Sequence, residues 1–138
     1  MNERLRRSHR ILAVQSQLDK LAEWSLIDLR SLASALGYQQ RGLVRFMSEE
    51  VAVAGIFSSA MMRRLETLAE MLATTATEQE VQRNRHLEAR RRLRRAEWIV
   101  TNLESEVRHK EALRQLAEII ETALHRASQA SCKLAKPP

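Results

Sequence analysis

The residues able to do chemistry are few, and their spacing gives them little to do. The histidines are His9, His86, His109 and His125, and the single cysteine is Cys132. No two of these histidines stand in the HExxH arrangement that would place two imidazoles and a general base on one helix face. One cysteine builds neither a disulfide framework nor a cysteine-rich zinc centre. Three glycines leave no glycine-rich loop to cradle a phosphate. Serines and carboxylates are plentiful, but the helical pattern below puts them on charged outer faces, and a helical rod lacks the concave pocket an active site needs. The expectation is a protein that is not an enzyme, with no catalytic residue, no cofactor and no metal site. His86 reads as a polar residue of a helix seam rather than a metal ligand or pH switch. His109 and His125 read as solvent-facing, and Cys132 as an inert thiol.

The elements that carry these residues are helices. Both prolines are Pro137 and Pro138, so residues 1–136 contain no obligatory helix breaker. Ala, Leu, Glu, Arg and Gln dominate a chain that is 29% charged and 44% hydrophobic, the composition of long helices or coiled coils. Few aromatics and little Gly or Pro argue against a sandwich or barrel. No apolar run approaches a membrane span. The basic start is followed only by Ile11–Val14, too short for the apolar core of a signal peptide. With one cysteine, the expected setting is the reducing cytoplasm. The predicted fold class is all-α: an antiparallel two-helix coiled-coil hairpin with the second helix longer than the first.

Asn2 is a candidate N-cap for a first helix over about 2–50, with Glu3 in its first turn. Ile11, Val14, Leu18 and Leu21 follow the 3-4-3 spacing of a seam. Leu18–Leu29, Leu21–Leu32 and Leu32–Leu43 each lie eleven apart, a repeat that relaxes or reverses the left-handed supercoil. Gly37 and Gly42 inside this helix mark a kink, a close backbone approach, or simple tolerance. The pattern falters over about 51–59, where Gly55 can supply a left-handed C-cap and Ser58 or Ser59 an N-cap. This segment is the expected tip of the hairpin.

The second helix, about 59–128, carries the strongest pattern. With Leu65 at heptad position a, the a residues run Leu65, Leu72, Gln79, His86, Leu93, Val100 and Val107. The d residues run Met61, Leu68, Thr75, Gln82, Ala89, Ala96 and Leu103. Thr75, Gln79, Gln82 and His86 make a polar stretch that can fix register at some expense in stability, or leave the rod locally loose. The alternative to a hairpin is one long helix in an intermolecular dimer; the Gly55 region and the change of register favour the hairpin. In a hairpin folded near residue 56, residues beyond about 111 have no intrachain partner. Leu113, Leu116, Ile120 and Leu124 then form an apolar overhang stripe that should pack on something. Residues 130–138 read as a disordered tail after a single hairpin domain over 1–129.

The net charge of +6 is one local feature: Arg83–Arg95 holds seven Arg and one Glu, and the rest of the chain balances. Arg90, Arg91, Arg92, Arg94 and Arg95 lie outside the seam, alongside a first-helix stretch carrying Asp19, Glu23 and Asp28. They read as a solvated face, a docking patch for an acidic protein surface, or a nucleic-acid contact. Nucleic acid is the weakest of the three, because no aromatic side chains interleave with the arginines to stack on bases. Phe46, Met47, Ile56, Phe57 and Met61 gather near the tip, as a partner-binding end or a local apolar cap. Trp24 and Trp98 read as core flanking the seam, with an exposed face as the alternative.

A small, basic-leaning, cysteine-poor hairpin of two unequal helices resembles the FliJ-like family of flagellar and type III secretion proteins, the stalk of the export ATPase. The stretch Leu18-Asp-Lys-Leu-Ala-Glu-Trp-Ser-Leu-Ile-Asp-Leu29, after a basic start, looks like that family's opening helix, and the Arg-rich second helix fits as well. The resemblance is one of pattern over nearly the whole chain and carries over no functional residue singly. It implies a protein without ATPase activity whose overhang enters a hexameric export ATPase. The other end would meet a membrane protein of the export gate, with the chain itself cytoplasmic and peripheral at the export apparatus, not inserted in the membrane. The rival readings are a nucleic-acid-associated helical protein using the Arg83–Arg95 window, and a self-associating structural coiled coil.

Overall fold

The structure, a computed structural model, describes residues 2–135; the side chains of 51–54 and 135 lie outside that description. Helix α1 spans Glu3–Glu49 and helix α2 spans Val51–Ala135, and they pair within the chain as an all-α helical hairpin. Asn2 caps α1 as its sequence suggests. Its Oδ1 accepts the Arg4 N–H at 3.0 Å, satisfying a donor that the first helical turn leaves unpaired, and its carbonyl accepts the Arg6 N–H at 3.1 Å as the first regular helical bond. Glu3 sits in that turn, where the helix dipole favours an acid.

The turn differs from expectation. Glu50 alone separates the two helices, and its N–H closes the last turn of α1 on the Phe46 carbonyl at 2.9 Å. Gly55 is not a left-handed cap: no glycine has positive φ, and Gly55 lies within α2. The backbone instead leaves helical geometry at Phe57 (φ −109°, ψ 15°), so α2 is two helical stretches joined across a kink. Gly55 before it and Ser58-Ser59 after it are weak helix formers, and such residues flank sharp kinks. At the far end α2 continues through Ala135. The expectation of a disordered tail therefore fails for 130–135, where no Pro or Gly interrupts helix propensity; residues 136–138 lie outside the described residues.

The contacts divide the chain into two compact units, Ala13–Arg95 and Met1–Leu12 with Ala96–Pro138. In the first, the α1 and α2 segments run antiparallel. Arg64 donates to Gln39 at 3.3 Å near one end, and Asp19 faces His86 near the other. Leu26, Leu36 and Leu68 are its buried apolar core. Thr75, also buried, donates to the Met71 carbonyl at 2.8 Å and so brings no unsatisfied hydroxyl into the seam. In the second unit the core is Leu5, Ala96, Val100 and Leu103, with His9 Nε2 3.2 Å from Glu104 Oε1 at its edge.

Along α2, every a and d residue from Met61 to Val107 is buried or half-buried, matching the heptad read from the sequence. Along α1 the expected seam is wrong. Ile11, Val14, Leu18 and Leu21 are exposed by 44–57%; apart from His9, Ser16 and Gly37 beside the frame, the buried or half-buried residues are Leu5, Ser8, Leu12, Gln15, Asp19, Ala22, Leu26, Leu29, Ala33, Leu36, Gln40, Leu43 and Met47. This is a strict seven-residue repeat, not the eleven-residue one. Only a seven-residue repeat stays in step with the unbroken heptads of α2 over the paired length. The Ile11–Leu21 stripe sits one flank over and gives way to Ser25 and Asp28. Trp24 and Trp98 lie opposite the seam and are exposed, not core. A Cβ at Gly42 would meet nothing within 4 Å, and at Gly37 only the flexible end of Arg41, so neither marks a close backbone approach.

Candidate functional site

Heptad geometry brings one polar cluster into the seam of the Ala13–Arg95 unit. Asp19 occupies an a position of α1 and is buried; Glu23, one turn on, lies on the same side of the helix. From α2, His86 enters the seam and Arg90, one turn further, reaches across. Asp19 Oδ1 lies 3.6 Å from His86 Nε2 and 3.3 Å from Arg90 Nε. The side chains are 8%, 20% and 45% exposed respectively. Neither approach is aligned as a hydrogen bond. Asp19 Oδ1, His86 Nε2 and the nearby Gln15 Oε1 are buried polar atoms without a hydrogen-bond partner. Such atoms are rare in folded proteins, because burying a polar group unpaired forfeits its hydration. Ligating atoms of Asp19, Glu23 and His86 all lie within 4.8 Å of one another.

His86 is therefore a polar seam residue, as its heptad position indicates, while Asp19 and Glu23 were missed as its companions. The signal was present: two carboxylates four apart on one helix. Reading it required the α1 register, and the Ile11–Leu21 stripe pointed to the wrong face.

The arginine window is partly neutralised. Arg90 is engaged by Asp19, and Arg91 and Arg92 approach Glu88 at 3.9 and 3.4 Å; Arg83 pairs with Glu80 at 2.7 Å. Arg94 and Arg95 are exposed and have no ion pair among the described residues. The expected tip cluster divides. Met47 and Met61 are half-buried in the seam, whereas Phe46, Ile56 and Phe57 are exposed.

The last buried or half-buried position of α2 is Val107, and every described residue from Arg108 to Leu134 is exposed. Leu113, Leu116, Ile120 and Leu124 lie on one face of this segment at 3-4-4 spacing, each at least half exposed. Arg114 beside them is hydrogen-bonded to Glu111, which raises its already high pKa. No helix is long and apolar enough to cross a membrane among the described residues. Set against protein-family models, curated proteins and solved structures, the chain matches none.

Proposed function

We propose that this chain is a non-enzymatic coiled-coil stalk of a flagellar or type III protein-export apparatus, in which the end of α2 docks into a hexameric export ATPase. The observation that carries the reading is the run from Arg108 to Leu134, a continuous helix in which every residue is exposed and Leu113, Leu116, Ile120 and Leu124 share one face. Because each of these side chains is still half or more exposed, a partner that covers it adds roughly 1–2 kcal/mol, and apolar grooves accept helices in this way. In this reading Phe46, Ile56 and Phe57 provide the contact to the export gate, and the protein works in the cytoplasm at the export apparatus. The nucleic-acid alternative draws less support, because Arg90, Arg91 and Arg92 each have a carboxylate close by.

The test uses purified chain and the export ATPase of the same cell. Sedimentation should show that the chain promotes hexamer assembly. Leu116→Asp with Ile120→Asp should abolish that effect while far-UV circular dichroism is unchanged. Hexamer assembly that is indifferent to the chain, or that tolerates both aspartates, removes the reading.

A further inference from the structure

We propose that Asp19, Glu23 and His86 form a three-ligand site for a divalent transition-metal ion, for which Zn²⁺ is the probe, and that the ion clamps α1 to α2 across the polar part of the seam. Three observations converge. The set contains one imidazole and two carboxylates whose ligating atoms fall within 4.8 Å of one another. Two ligands each about 2.0–2.1 Å from a tetrahedral zinc stand roughly 3.4 Å apart; Asp19 Oδ1 and His86 Nε2 are 3.6 Å apart, so a shift of tenths of an ångström suffices. Asp19 and His86 present, at those same two atoms, buried polar groups with no hydrogen-bond partner, and Asp19 is more than nine-tenths buried. A shared metal ion satisfies both at once.

Glu23 is exposed, so the ion can enter from solvent on that side and complete its shell with water. One imidazole among oxygen ligands suits zinc and its first-row neighbours; Mg²⁺ prefers all-oxygen shells and retains its water. Arg90 is the competitor. Its Nε lies 3.3 Å from Asp19 Oδ1, and a guanidinium and a metal ion cannot share that oxygen at close range. With its side chain 45% exposed, Arg90 can swing into water when the metal arrives.

The experiment is calorimetric titration of the metal-free full chain with Zn²⁺, paired with thermal unfolding. The expected result is one ion per chain and a rise in Tm that Mg²⁺ does not reproduce. His86→Gln and Glu23→Gln should each weaken binding at least about tenfold, since even indirect partners of a metal ligand contribute that much. Glu23 is exposed, so its variant keeps the fold and keeps the test meaningful if His86→Gln unfolds. Arg90→Gln should tighten binding by removing the competing cation. Binding that survives His86→Gln and Glu23→Gln but disappears with His125→Gln or Cys132→Ser would mean an adventitious ion only, and would overturn the proposal. So would the absence of binding, or an Arg90→Gln variant that binds more weakly.

Discussion

Replacing both Asp19 and His86 by Leu should make the hairpin more stable. The two side chains sit in the seam, 8% and 20% exposed, with their facing atoms 3.6 Å apart and unaligned for a hydrogen bond. Each therefore gives up hydration without a full return. Two leucines at these positions would bury apolar surface worth about 1.5–3 kcal/mol apiece. Against this stand the lost attraction of Asp19 for His86 and Arg90, and some imperfect packing. Arg90, nearly half exposed, rehydrates when Asp19 is gone. Exchanges of buried ionic groups for apolar ones are often neutral or stabilising by about 1–4 kcal/mol, and we expect a gain within that range here. Asp19→Ala alone should instead destabilise, because it removes the carboxylate that faces Arg90 and His86 and opens a gap in the seam that no apolar side chain fills. The assay is urea unfolding followed by far-UV circular dichroism, with a chelator present so that metal does not contribute. A double-leucine variant less stable than the parent would refute the reasoning, since it would show the polar cluster to be net stabilising as it stands.

Other outcomes follow from the same packing. Leu68, 1% exposed, is the most deeply buried large side chain, and Leu68→Ala should cost about 2–5 kcal/mol in urea unfolding. Leu26→Gln should be strongly destabilising while Leu18→Gln stays within about 0.5 kcal/mol of the parent; the reverse order would restore the Ile11–Leu21 stripe as the seam. Gly42→Ala should raise stability by about 0.5–1 kcal/mol, because the added methyl meets nothing and helix propensity improves. Phe57→Asp should leave far-UV circular dichroism unchanged, because Phe57 is exposed at a kink, and on the stalk reading it should lower export in cells.

The two helices and the α2 register were legible in the sequence because each a and d residue from Met61 to Val107 fits one frame, polar ones included. The α1 register was not, and the reason is local. Ile11, Val14, Leu18 and Leu21 form a more apolar stripe than the true seam, where Gln15 and Asp19 occupy core positions. Pairing is settled over the whole helix, by Leu5, Leu12, Leu26, Leu36 and Met47 together, and a window of four residues does not reveal it. That one misreading also hid the polar cluster, since Asp19 faces His86 only in the true frame. Gly55 misled for a different reason: a glycine near a turn suggests a left-handed cap, but here the chain turns at Glu50 and bends again at Phe57. The helix through 130–135 was underestimated because a Ser- and Lys-containing end looks like a tail, although nothing in it stops a helix.

The most direct test of the stalk reading is a photo-crosslinking amino acid placed at Leu116 in the full chain, expressed in its own cells. A crosslink to a ring-forming export ATPase, lost when the probe is moved off the apolar face to Arg114, is the predicted result. A crosslink only to a second copy of the chain, or to nucleic acid, would contradict it.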